Sequence, residues 1–355
     1  MSLTRRRFTL SALVSTLSAP AVFAAPKYKI DIMANGFYAP WAIGFVPGGV
    51  LVTERDGALI LLAGGKRREV KGLPKIEADG QGGLLDILVP RDFARTSQIF
   101  MTYAKRQGRG SGTAVMRATL NANDASLSNV TTIFEMSKGS RGGRHFGSRL
   151  VEARDGTLFV SIGDRGDADQ AQNLATHNGT ILRITKTGAA PKDNPFAGKT
   201  GHQPEIWSYG HRNPQGMALD KKGALWVNEH GAKGGDEINR IVKGANYGWP
   251  VIAYGRHYSG AKIGEGTVKQ GMMQPKHYWD PSIAPSGYAI HSRTGDHFVG
   301  SLKFDYIARL RGNPLREVEQ IRSDETQRVR DIREAPDGSL WFLSVGNGAL
   351  YRMSV

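Results

Sequence analysis

Asp155-Gly156-Thr157-Leu158-Phe159-Val160 is one of five copies of a short phrase: a turn ending in glycine, one residue, then an apolar run. The others are Pro47-Gly48-Gly49-Val50-Leu51-Val52, Asp56-Gly57-Ala58-Leu59-Ile60-Leu61, Lys222-Gly223-Ala224-Leu225-Trp226-Val227 and Asp337-Gly338-Ser339-Leu340-Trp341-Phe342. Asp-Gly supplies the positive φ of a tight hairpin turn, and the β-branched and aromatic residues after it suit a strand. A further apolar segment precedes several copies, as in Trp41-Ala42-Ile43-Gly44-Phe45 and Gly216-Met217-Ala218-Leu219. Each unit therefore reads as an antiparallel meander.

Repeated meanders predict an all-β chain, a six-bladed β-propeller of four-stranded antiparallel blades, with roughly 50 to 55 residues per blade. A pair of β-sandwiches is the competing architecture, but it does not account for the recurring Gly-x-Leu phrase. The copies are unevenly spaced, so loops of different length must join the blades. No linker, low-complexity tract or useful amphipathic helix interrupts the sequence, and residues 25–355 are expected to form one domain.

The first 24 residues read differently. Thr4-Arg5-Arg6-Arg7-Phe8 precedes an apolar run from Leu10 to Phe23, and small residues follow at Ala24 and Ala25. That is the layout of a signal peptide, and the paired arginines before an aromatic resemble a twin-arginine export signal. Export to the periplasm is the expectation, with residues 1–24 removed. The run is too short and too rich in Ser and Ala for a stable anchor, so membrane insertion is not expected. The chain has no cysteine, which excludes thiol catalysis and Cys-based zinc sites. It carries 47 basic against 32 acidic residues, a formal +15. The basic residues are scattered, with no run interleaved with stacking aromatics, so nucleic acid is not the expected partner. A small anionic ligand suits the charge better.

Propellers place their sites at one mouth of the central channel, and four loop clusters stand out. Arg144-His145-Phe146-Gly147-Ser148-Arg149-Leu150 puts a histidine in a glycine-rich stretch before a strand. Alone, such a histidine is more often a satisfied core or surface group. Gly163-Asp164-Arg165-Gly166-Asp167-Ala168-Asp169 ends the following strand, which lets Asp164 orient His145 as a general base. A plain turn or a structural calcium loop is the alternative for this segment. Tyr209-Gly210-His211-Arg212-Asn213-Pro214-Gln215-Gly216 offers an arginine suited to polarising a carbonyl or clamping a carboxylate. A salt bridge tying two blades would also explain it. Asn228-Glu229-His230-Gly231-Ala232-Lys233-Gly234-Gly235-Asp236-Glu237-Ile238-Asn239 combines oxygen donors with flexible backbone, as a hard cation such as calcium requires. Near the C-terminus Lys303 adds a cation. In Arg328-Val329-Arg330 the two arginines alternate on one strand face, so both could point at a single polyanion.

Together these phrases resemble the pyrroloquinoline quinone (PQQ)-dependent soluble aldose sugar dehydrogenases, relatives of soluble quinoprotein glucose dehydrogenase. The matching segments run in family order: Asp79 to Asp86, His145 to Leu150, Ile162 to Gly166, Glu205 to Gly216, Glu229 to Asn239, Asn246-Tyr247-Gly248-Trp249-Pro250 and Arg328 to Asp331. The resemblance implies a six-bladed propeller that oxidises the C1 hydroxyl of aldose sugars to lactones with PQQ and Ca²⁺. It implies that His145 is the base, that Asp164 orients it, and that Arg212 stabilises charge on the quinone oxygen. Gln81 and Trp279 would meet the sugar. Gln81, Arg212, Asn213, Tyr258, Lys303, Arg328 and Arg330 would bind PQQ. Gly231 and Ala232 carbonyls would hold one calcium, and Glu237 with the Tyr247 carbonyl a second. An unidentified electron acceptor and a monomeric or homodimeric state complete the expectation. Ser148 stands where relatives often have a second glycine, Ala232 where they often have proline, and Lys276 near the place of an aromatic. A non-catalytic propeller binding a glycan or protein, and a calcium-dependent lactonase, are the other readings of such a chain.

Overall fold

The computed structural model describes residues 28–354, so the expected leader lies outside the described residues. Six four-stranded antiparallel sheets, 24 strands in all, account for nearly all regular structure among them. The blades span residues 40–69, 84–135, 150–209, 214–279 and 285–321, and the sixth combines 329–354 with 29–34. Helix is confined to the short turns Phe93–Thr96, Ala168–Gln172 and Asp324–Thr326. No helix among them is long and apolar enough to cross a membrane.

The recurring phrase does what its chemistry requires. Gly48, Gly57, Gly156, Gly223 and Gly338 all have positive φ, at 72°, 110°, 83°, 83° and 83°. Four of these turns join the first and second strands of a blade, whereas Gly57 joins the second and third strands of the first blade. The fifth blade makes its equivalent turn with Thr294-Gly295-Asp296, where Gly295 has φ 74°. The second blade uses the helical turn Phe93–Thr96 there instead. Five copies and six blades are thereby reconciled.

The first strand of every blade lies innermost, and these six strands touch their neighbours around a closed ring. Apolar side chains fill the spaces between sheets; Phe100, Leu158, Val160 and Leu182, for example, belong to a cluster shared by the second and third blades. Closure comes from the ends of the chain: Lys29–Ala34 pairs antiparallel with Ala349–Ser354, giving the last blade its outer strand. Adjacent strands run antiparallel, so the start of each innermost strand and the end of its neighbour lie on the same rim. Loops before first strands and after second strands therefore converge at one mouth.

A buried ionic network crosses the channel below that mouth. The Arg149 guanidinium meets Asp86 at 3.0 Å and Asp331 at 2.8 Å, and donates to the Gln215 carbonyl at 2.9 Å. Arg333 pairs with Asp331 at 3.0 Å and with Asp86. Asp86 and Asp331 also accept the backbone N–H groups of Leu150 and Ile43. Two cations and two anions thus tie the inner strands of five blades.

Candidate active site

The loops before the third blade and after its second strand are pressed together at the mouth. A Cβ on Gly163 would stand 2.1 Å from the His145 carbonyl oxygen, and one on Gly147 2.8 Å from the Gly163 amide nitrogen. Only glycine permits that approach. His145 itself adopts φ 54°, and its amide donates to Gln81 Oε1 at 2.7 Å. Ser148, in place of a glycine, has φ 80°. Its buried hydroxyl lies 3.1 Å from the Phe146 carbonyl and 3.3 Å from Thr113 Oγ1, which offsets part of the strain.

His145 Nδ1 lies 2.6 Å from Asp164 Oδ1. Asp164 also accepts the Gly166 amide at 2.7 Å and the Trp249 indole N–H at 2.9 Å. Burial alone would raise the Asp164 carboxyl, but its bond to His145 and the nearby charge hold it below the usual range. A carboxylate can only accept, so His145 Nδ1 carries the proton and Nε2 is left with its lone pair. Burial lowers the His145 pKa, Arg212 and Arg144 lower it further, and Asp164 offsets only part of this. The imidazole is therefore neutral near pH 7, the state a proton acceptor needs.

The residues following His145, Phe146 and Gly147, border a cavity of about 500 Å³ together with Trp41, Gln81, Asn213, Gln215 and His230 and four cations, Arg55, Lys303, Arg328 and Arg330. Arg330 reaches Gln215 Oε1 and lies 4.9 Å from the Trp41 ring centroid; Arg149 lies 4.4 Å from that ring. Burial, then Arg149, Arg328 and Arg55, pull Arg330 down to about 9, and its Nε has no hydrogen-bond partner. Asn213 Oδ1 accepts the Gly147 amide at 3.3 Å and Gln215 Nε2 at 3.1 Å. A small adjoining pocket of about 20 Å³ is bordered by Arg212, Glu229, Gly231, Ala232, Glu237, Tyr247 and Trp249. Arg212 donates its amide to Glu229 at 2.8 Å, and its guanidinium lies 5.3 Å from the Trp249 ring. Burial and the charge of Glu229 push the Glu237 carboxyl up to about 8.

Two residues expected at the site border neither cavity. Trp279 sits on the outer strand His277–Trp279, packed into an interblade cluster with its indole N–H donating to Glu317 at 2.7 Å. Tyr258 caps a hairpin between the third and fourth strands of the fourth blade and is 76% exposed. Two others were missed. Trp249 reaches Asp164 from the phrase Asn246-Tyr247-Gly248-Trp249-Pro250, which signalled a family segment but no contact. His230 borders both cavities, donating Nε2–H to the Pro285 carbonyl at 2.8 Å. Burial and then Arg330 drive its pKa down to about 3.

Comparison with known proteins matches the glucose/sorbosone dehydrogenase family to residues 37–352. The chain belongs to that family. It is 38% identical to the aldose sugar dehydrogenase YliI of Escherichia coli K12, over 99% of each chain. The crystal structure of the soluble aldose sugar dehydrogenase from Escherichia coli in the apo form superposes with a TM-score of 0.89, covering 92% of this chain and 99% of that one. The PQQ-bound aldose sugar dehydrogenase of Streptomyces coelicolor gives 0.78 at 25% identity, covering 93% and 98%. Membership in this family makes the chain an oxidoreductase of the sugar dehydrogenase class.

Proposed function

We propose that the protein is a quinoprotein aldose dehydrogenase that oxidises the C1 hydroxyl of an aldose to the lactone, using PQQ, Ca²⁺ and His145 as the base. One observation carries this reading: an oriented, neutral imidazole stands beside a cavity crowded with cations.

Both groups fit the residues present. Arg149, Arg328 and Arg55 repel the buried Arg330 while Lys303 lines the same cavity, and an anion with several carboxylates would relieve that repulsion. For calcium, the small pocket offers the Glu237 carboxylate with the backbone of Gly231, Ala232 and Tyr247, oxygen donors of the kind a hard cation takes. Among the described residues no three His, Cys, Asp or Glu side chains converge as a metal set. A cation there relies on carbonyls, and a lactonase centre built from carboxylates is disfavoured.

PQQ, when bound with calcium, supplies an electrophilic quinone carbon able to accept hydride from the sugar's C1. The chain's part is to move one proton and steady one charge. His145 Nε2 takes the anomeric hydroxyl proton, and Asp164 stabilises the imidazolium that results. Arg212 would stabilise the negative charge that develops on the quinone oxygen. Asn213, Lys303, Arg328 and Arg330 would hold the cofactor, and Gln81, which fixes the His145 backbone, would also meet the sugar. The twin-arginine-like stretch Arg5-Arg6-Arg7-Phe8, read as an export signal, would carry the protein to the periplasm.

Steady-state dye reduction tests the reading. Apoprotein given PQQ and Ca²⁺ should turn over at least one member of an aldose panel and stop when calcium is chelated. Failure with every aldose would refute it.

A further inference from the structure

The residue after Asp164 has no place in that scheme, yet it is the most unusually housed side chain at the site. Arg165 is 1% exposed and adopts φ 59°. Its guanidinium carbon lies 3.4 Å from the centroid of the Phe146 ring. One terminal nitrogen donates to the Arg144 carbonyl and the other to the Ser111 carbonyl at 3.3 Å. Its Nε has no hydrogen-bond partner, and among the described residues no carboxylate lies within ion-pair distance. Burial draws its pKa down to about 10 despite the neighbouring charge of Asp164.

A buried guanidinium with an orphaned donor is costly, and an apolar side chain would fill the space without that cost. Departures of this kind gather where function demands them. What Arg165 grips gives the reason. Arg144 and Phe146 flank His145 on either side, and His145 is held at a positive φ that strains any residue other than glycine. Ser140 Oγ, from the start of the same loop, donates to the Arg165 carbonyl at 3.1 Å. One dipeptide therefore controls the base twice: Asp164 fixes the ring, and Arg165 fixes the backbone that carries it.

We infer that Arg165 is a positioning residue, clamping the Arg144–Phe146 backbone so that the His145 imidazole stays aligned with Asp164. This rests on reading His145 as the base, so its test needs an arm that does not involve sugar. Asp164, Arg144, Arg212 and His230 are the titratable and charged groups facing His145, and all remain when Arg165 is replaced.

The first arm is NMR of the apoprotein with labelled histidine. In the wild type, the His145 Nδ1–H bonded to Asp164 should give a protected, downfield proton, and the ring should titrate below its ordinary pKa. In Arg165→Met that proton should broaden or vanish and the titration should move. The second arm is turnover at saturating PQQ: a displaced base should lower kcat about 10- to 100-fold while sugar KM and PQQ affinity hold within about threefold. Arg165→Lys, which retains the charge but not the two-pronged grip, should recover part of the loss. It also serves alone if the methionine variant does not fold. An unchanged Nδ1–H signal in the variants overturns the inference, as does a kcat that falls only in step with lost PQQ binding. Loss of the signal in a protein whose wild type oxidises no aldose would leave the clamp standing and remove the catalytic reading.

Discussion

The channel has two mouths, and the wider one is not the candidate site. At the far end, where the innermost strands finish, lies a cavity of about 720 Å³ bordered by Ile43, Val89, His291, Arg333, Glu334 and Asp337. Its polar groups are already satisfied. His291 bonds Thr294 through one nitrogen and the Gly338 carbonyl through the other, and Glu334 accepts from Ser292. Arg333 meets Asp86 and Asp331, and Asp337 pairs with Arg352. At the near mouth Lys303, Arg328 and Arg330 form no ion pair among the described residues, and burial with the nearby arginines lowers the Arg330 pKa although Asp331 offsets part of the shift. Backbone strain divides the same way. Ala39, His145, Ser148, Arg165, Ala284 and Arg328 hold positive φ at the near rim; the far rim has Ser97 and Ala125, but no non-glycine residue lining the far cavity does so. Size does not mark the site; uncompensated charge and retained strain do.

Substitutions at the two ends should separate them sharply. His145→Gln should cost about 10²- to 10⁴-fold in kcat while PQQ affinity stays within about threefold, measured by single-turnover kinetics and cofactor titration. Arg330→Met should weaken PQQ binding by about 10- to 1,000-fold, since one partner of a desolvated charge pair is removed. Turnover at saturating cofactor should survive that change. The pH profile is a gentler probe. Because burial holds the His145 pKa below its ordinary 6.5, kcat/KM should fall along an acid limb whose midpoint lies below that value. An acid limb centred above 6.5 would contradict the assigned environment. Smallest of all, Glu334→Gln at the far mouth should lower stability by about 1 kcal/mol in denaturant melts and leave turnover and PQQ affinity unchanged.

What the sequence disclosed and what it hid follow from how local each feature is. A hairpin needs its own glycine, so Gly156, Gly223 and Gly338 announced their turns and, with them, the blades. The contact between His145 and Asp164 was also legible, because both sit at the ends of paired strands in one blade. Trp249 was not, since it arrives from another blade through a long excursion that only the closed ring brings near Asp164. Trp279 was hidden for the opposite reason: an aromatic in a family position says nothing about which side of the outer strand it occupies, and here its ring packs against the neighbouring blade. Asp86, Arg149 and Asp331 all lay inside recognised phrases, yet their bonds span inner strands far apart in sequence. Their role as a channel plug required the ring itself.

The central claim is that the cation-rich mouth holds a quinone that His145 allows an aldose to reduce. Its most direct test is a single-turnover titration: PQQ and Ca²⁺ added to apoprotein, excess quinone removed, and an aldose mixed in without a dye. The account predicts one quinone bound per chain, bleached by the sugar with one lactone formed for each quinone reduced. A chain that binds no PQQ, or binds it without any aldose bleaching it, would contradict the account.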